Sequence, residues 1–201
     1  MIAIVDYGAG NIFSVKNALD YLELDNKLTS DKNEIEKADA VILPGVGAFP
    51  NAMKMLDDSG LTATIKEQAQ KKPLLGICLG MQMLFEKSYE FEECDGLGLI
   101  KGKVDRIIAP GFIIPHMGWN KLEKLNDCPL MNDLGDDEYV YFVHSYQAFC
   151  DDSSISAYSE YPDRIPVLVT NGKYVFGAQF HPEKSGKTGL QILKNFGGLI
   201  K

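Results

Sequence analysis

The sequence predicts an α/β fold: a mostly parallel central sheet flanked by helices, with antiparallel strands appended to it. Three observations predict this. Up to Cys78, short apolar runs alternate with segments of helical spacing, the signature of parallel strands joined by crossover helices. From Gly96 onward the apolar runs shorten and are parted by Gly, Pro, Asn and Asp, as in antiparallel strands. The 201 residues are 45% hydrophobic and 24% charged, the composition of an ordinary globule with length for one substantial core. No repeat, low-complexity tract or linker divides the chain, and residues 1–201 are expected to form a single domain.

Ile2 to Asp6 reads as the first strand. Tyr7-Gly8-Ala9-Gly10-Asn11 is a turn, and Ser14 to Leu22 is a helix with Val15, Ala18, Leu19 and Leu22 on one face. Gly8-x-Gly10 after a strand faintly resembles a dinucleotide loop, but Phe13 stands where the third glycine is needed, so a tight turn or contact surface is the better reading. Asp25 to Thr29 is a second strand, Lys32 to Lys37 a short helix, and Asp39 to Leu43 a third strand. That strand runs into Pro44-Gly45-Val46-Gly47-Ala48-Phe49, a glycine turn at the carboxyl end of a parallel strand, where such sheets bind ligands. It is either a plain connection or a set of N–H donors for an anion or oxyanion.

Asn51 to Leu56 and Leu61 to Lys72 read as helices and Leu74 to Ile77 as the fourth strand, with helix formers following from Met81. Appended strands are expected at Leu97–Ile100, Val104–Ile108, Gly111–Ile114 and Tyr139–Val143, and Asn132 to Glu138 is a solvated acidic loop. Val175 to Lys184 is a strand that delivers His181 and Glu183 at its end. Gly189 to Leu199 is the closing helix, with Leu190, Ile192, Leu193 and Phe196 as its apolar positions.

A formal net charge of -8 argues against nucleic acid or an anionic membrane as partner. No apolar run reaches the length of a membrane span, and Met1 to Asp6 lacks the basic leader of a signal peptide. The four cysteines, Cys78, Cys94, Cys128 and Cys150, show no metal spacing, so no metal or cofactor is expected and the setting reads as reducing and cytoplasmic.

The stretch Pro73 to Phe85 carries the chemistry. Gly76-x-Cys78-x-Gly80 sits between a buried strand and a helix, the grammar of a nucleophile elbow with Cys for Ser. Small flanking residues permit a strained turn, and a helix starting just after the sulfur favours thiolate. The bland alternative is a buried structural thiol. A thiolate nucleophile needs a base and a group that orients the base. Of the three histidines, His116, His144 and His181, only His181 is followed two residues on by a carboxylate, Glu183, across Pro182. Alternation in an extended segment puts both on one side.

Together, Gly76-x-Cys78-x-Gly80-x-Gln82, the upstream glycine loop and His181-Pro182-Glu183 resemble the class I (triad) glutamine amidotransferases over nearly the whole chain. Asp6 to Asn11, Pro44 to Phe49, His116-Met117-Gly118-Trp119-Asn120 and Tyr141 to Tyr146 narrow the resemblance to the branch serving imidazole glycerol phosphate synthesis in histidine biosynthesis. The resemblance implies a flavodoxin-like three-layer fold and a glutaminase that releases glutamate and ammonia from L-glutamine through a Cys78 thioester. His181 would be the base and Glu183 its orienting group. The oxyanion would be held by Val46, Gly47 and Leu79. Gln82, Glu90, His144, Ser145 and Tyr146 would bind glutamine. The implied partner is a (β/α)8-barrel cyclase, with Asn11, Met117, Trp119 and Tyr141 at the contact. Trp119 is either such an anchor or core. A glutaminase of pyridoxal phosphate synthase, a general cysteine hydrolase and a non-catalytic relative are the competing readings.

Overall fold

An eight-stranded sheet runs through the molecule, and five of its strands are parallel neighbours. The computed structural model describes residues 1–200. In chain order the first half is β1 (Ile2–Val5), α1 (Ile12–Tyr21), β2 (Asn26–Thr29), α2 (Lys32–Lys37), β3 (Ala40–Gly45), α3 (Phe49–Asp58), α4 (Thr62–Gln68), β4 (Leu74–Cys78) and α5 (Leu79–Gln82). The second half is β5 (Lys87–Ser88), β6 (Cys94–Asp95), β7 (Lys103–Arg106), β8 (His116–Lys121), β9 (Glu123–Lys124), β10 (Tyr139–His144), β11 (Tyr146–Phe149), β12 (Ile155–Glu160), β13 (Arg164–Thr170), β14 (Val175–Ala178) and α6 (Gly186–Gly197). The main sheet has the order β2-β1-β3-β4-β14-β13-β12-β9; β10 and β8 form a separate antiparallel ribbon, and β11-β7-β5-β6 a small third sheet.

Strands buried on both faces explain the continuous apolar runs. Ile2, Ile4 and Ile42 face α1 and α6 through Val15, Leu19, Ile192, Leu193 and Phe196. Ala3, Val5, Val41 and Leu43 face α2, α3 and α4 through Ile35, Ala52, Leu56 and Ile65. Full burial of each large side chain here, such as Ile42 or Phe196, contributes about 1.5–3 kcal/mol. The sheet thus lies between two helical layers, as the resemblance implied.

Several expected strands are not strands. Leu97–Ile100 is irregular: the backbone N–H groups of Leu97, Gly98, Leu99 and Ile100 donate to Met83, Phe85 and Leu84 carbonyls, capping the end of the elbow turn. Leu97 and Ile100 are apolar because they are buried, not because they pair. Gly111–Ile114 is an irregular loop with Ile113 exposed. Conversely, β8, β12 and β13 form where none was expected; Pro166 lies within β13, opposite Tyr158, beside a register irregularity in β12. Proline lacks a ladder donor, so bulged positions of this kind are where a strand tolerates it.

Register sets the site. Gly45 pairs with Cys78 across β3 and β4, and Ile77 pairs with Ala178 across β4 and β14. The glycine turn after β3, the cysteine at the end of β4 and the residues after β14 therefore leave the sheet side by side at its carboxyl edge.

Candidate active site

At the end of β4 the chain reverses into α5 within one residue. Cys78 has φ 54° and ψ -112°, a backbone state that costs a non-glycine residue about 1–3 kcal/mol. Close packing enforces it. A Cβ at Gly80 would come within 1.9 Å of the Leu43 carbonyl oxygen, and one at Gly76 within 2.5 Å of the Gly80 oxygen. Only glycine fits either place. The helix begins just after the cysteine, at Leu79, as expected, but it is a single four-residue turn. Its dipole is accordingly small, and what it offers the sulfur is the free N–H groups of a first turn.

His181 arrives from the other side. His181 N–H donates to the Tyr141 carbonyl at 3.1 Å, Tyr141 N–H to Ser185 Oγ at 2.9 Å, and Ser185 Oγ to the His181 carbonyl at 2.7 Å. These bonds fasten the 3-10 turn Pro182–Lys184 to β10. His181 Nδ1 lies 2.9 Å from Glu183 Oε1. An ionised carboxylate only accepts, so Nδ1 carries hydrogen and Nε2 is left for Cys78. Burial disfavours the charged imidazole, but hydrogen bonds to Cys78 and Glu183 outweigh it and raise the His181 pKa to about 9. The Glu183 side chain is fully buried, and Asn11 Nδ2 donates to the same Oε1 at 3.1 Å. Asn11, expected on a partner-facing rim, is thus in direct contact with the Glu183 carboxylate.

Cys78 and His181 open onto a cavity of about 570 Å³. Val46, Gly47 and Leu79 line it beside the sulfur, and Gln82, Glu90, His144, Ser145 and Tyr146 line the rest. Gly47 adopts φ 95° with open space where a Cβ would be, and Val46 is 43% exposed, so no side chain packs over that peptide. Glu90 Oε2 accepts from Phe49 N–H at 2.7 Å, at the first turn of α3. Burial raises the Glu90 pKa, opposed by that hydrogen bond. His144 has no free ring nitrogen: Nδ1 is 2.8 Å from the Tyr146 carbonyl and Nε2 is 2.9 Å from His116 Nδ1. Burial pulls its pKa down to about 3. His116, fully buried, stacks between Phe142 and Tyr161.

Asn11, Met117, Trp119 and Tyr141 do not line the cavity. Met117 is 60% and Trp119 54% exposed, so Trp119 is a surface side chain and not core. Its ring centroid is 6.0 Å from that of Tyr141. Four lining residues were not singled out from the sequence: Phe91, Arg106, Pro115 and Val143. Gln179, whose Nε2 donates to Cys78 Sγ at 3.9 Å, was missed as well. Its spacing of two from His181 was the available signal, since alternate residues of an extended segment share a side. Among the described residues no group of three or more His, Cys, Asp or Glu side chains is placed to hold a metal ion.

Residues 3–198 match the family described as glutamine amidotransferase class-I. The chain belongs to the class-I glutamine amidotransferases. Among amidotransferase relatives it is 54% identical over 202 residues to the imidazole glycerol phosphate synthase subunit HisH of Bacillus cereus strain G9842, covering 100% of this chain and 96% of that one. It is 51% identical to the HisH subunit of Bacillus thuringiensis strain Al Hakam over the same shares. The amidotransferase fold is shared with solved structures. A crystal structure of a glutamine amidotransferase superposes with a TM-score of 0.75 at 22% identity, covering 98% of this chain and 100% of that one. PurLQS from Thermotoga maritima superposes with a TM-score of 0.76 at 21% identity, covering 100% and 98%.

Proposed function

We propose that this chain is the glutaminase subunit of an imidazole glycerol phosphate synthase, acting in histidine biosynthesis in the cytoplasm. It hydrolyses L-glutamine at Cys78 and passes ammonia to a (β/α)8-barrel cyclase partner. The observation that carries the reading is full-length identity of 54% to HisH subunits in a chain whose strained Cys78 shares a cavity with a His181 held by Glu183.

The chemistry follows from the geometry. His181 takes the Cys78 thiol proton, and the thiolate attacks the side-chain amide carbon of glutamine. The oxyanion is received by the Leu79 N–H and by a donor from the Val46–Gly47 turn. His181 then gives its proton to the departing nitrogen, the C–N bond breaks and ammonia leaves a γ-glutamyl thioester. Water, deprotonated by His181, attacks the thioester; the C–S bond breaks, glutamate is released and Cys78 regains its proton. Glu90 receives the substrate ammonium, and Gln82, His144, Ser145 and Tyr146 shape the end that holds the α-carboxylate and backbone.

Ammonia released into water is protonated and lost, so the glutaminase needs a bound acceptor. Exposed Met117 and Trp119, on the ribbon joined to the His181–Ser185 turn by Tyr141, form the apolar part of the docking face together with Asn11. Docking there turns the exposed Val46–Gly47 peptide to aim its N–H at the oxyanion. Among the described residues no helix is long and apolar enough to cross a membrane. The test is co-purification with the cyclase and glutaminase assay with and without the cyclase ligand. The complex should turn over glutamine roughly a hundred- to a thousand-fold faster than the isolated chain, the worth of one oxyanion donor. Equal rates would refute partner-dependent aiming, and failure to associate would refute the assignment as a synthase subunit.

A further inference from the structure

Besides His181, Gln179 reaches the Cys78 sulfur. Gln179 is fully buried and its Nε2 is 3.9 Å from Cys78 Sγ. An amide can usually be turned over, exchanging donor and acceptor, and then nothing would follow from this contact. Here its orientation is fixed from a distance. The Tyr146 backbone carbonyl can only accept. It takes Gln82 Nε2–H at 3.1 Å and faces His144 Nδ1 at 2.8 Å. A flipped Gln82 would set oxygen against oxygen, so its NH2 must face this carbonyl. The second hydrogen of the same NH2 points to Gln179 Oε1 at 2.9 Å. With Oε1 committed as acceptor, Gln179 presents N–H to the sulfur.

We propose that Gln179 is a further catalytic residue, a hydrogen-bond donor to the Cys78 thiolate, aimed by Gln82 and anchored at the Tyr146 carbonyl. The contact, at 3.9 Å, is long. Such bonds shorten once charge develops, and a donor in a buried setting favours the charged form of its acceptor. His181 supplies the proton acceptor and Gln179 stabilises what the proton leaves behind. The network also joins the glutamine pocket to the sulfur, because Gln82 lines that pocket while holding Gln179.

The inference rests on Cys78 being the nucleophile, and the test separates the two. The pH dependence of Cys78 alkylation by iodoacetamide, followed by peptide mass spectrometry on the full chain without glutamine, reports the midpoint of the Cys78–His181 pair. Gln179→Met, which keeps the volume and removes the donor, should raise that midpoint by about one unit, a roughly tenfold loss of thiolate near neutral pH. Gln82→Met, which leaves Gln179 in place but unaimed, should raise it by less. If Gln179→Met does not fold, judged by circular dichroism, the Gln82→Met shift decides alone. An unchanged midpoint in the folded variants would overturn the role of Gln179 while leaving Cys78 as nucleophile. Glutamate release surviving Cys78→Ser would instead overturn the nucleophile assignment.

Discussion

Two histidine environments in the same site push the imidazole in opposite directions. His181 sits between Cys78 and Glu183 and is raised to about 9. His144 and His116 sit between a backbone carbonyl and aromatic rings, and burial lowers both. All three are buried. What differs is the neighbour: a carboxylate and a thiol outweigh desolvation, whereas a carbonyl and a second imidazole do not. The fold thus favours the charged form at one histidine beside Cys78 and the neutral form at two others that hold the Tyr146 end of the cavity.

The largest effect comes from removing the group that the charged histidine serves. Cys78→Ala should cut glutamate release by about 10⁴- to 10⁶-fold, since triad members act as a unit. Glu183→Gln tests what makes His181 basic and fixes its tautomer. It should lower kcat by about 10²- to 10⁴-fold and bring the His181 pKa down, read by NMR titration of the imidazole. An unchanged pKa would break the contrast.

Glu90 is a smaller lever on the pocket between them. Glu90→Gln should raise KM for glutamine by roughly 10- to 100-fold with kcat little changed, the worth of a hydrogen bond to a charged group. Because burial raises the Glu90 pKa, the wild-type KM should climb as pH falls through a range above that of a free carboxylate. There Glu90 becomes neutral and no longer attracts the substrate ammonium. Ordinary-carboxylate behaviour in the KM profile would contradict that placement.

The smallest effect concerns stability. His144 must stay neutral to accept from His116, so its contribution is fully present above the unfolded value of about 6.5 and is lost as pH falls toward about 3. His181 has the opposite sign: its contribution is present below about 6.5 and is lost as pH rises through about 9. His116→Phe, which fills the slot between Phe142 and Tyr161, should lower Tm at pH 7 by a few degrees, about 1 kcal/mol. It should also flatten the fall in Tm between pH 7 and pH 5. A melting curve as acid-sensitive as that of the wild type would remove the strut argument.

The parallel half was legible because a strand buried on both faces must be apolar throughout, as Ile2–Val5 and Leu74–Cys78 are. The grouping of Cys78, His181 and Glu183 was legible because its spacing is local to two short motifs, the elbow at Cys78 and the alternation of His181 with Glu183. The antiparallel half was not. Leu97 and Ile100 are apolar for burial without pairing, and β13 hides behind Pro166. The contacts of Gln179 with Cys78, of Asn11 with Glu183 and of His116 with His144 escaped for a different reason, although Asn11 and His144 were named for other roles. Each acts through a partner 28 to 172 residues away in sequence, a distance only the folded chain closes.

The most direct measurement is the search for the covalent intermediate. The complex or the isolated chain is given glutamine, quenched in acid during turnover, digested and analysed by mass spectrometry. The account predicts one γ-glutamyl group on the Cys78 peptide, absent in Cys78→Ser. Glutamate release with no such adduct, or with the adduct on Cys94, Cys128 or Cys150, would contradict it.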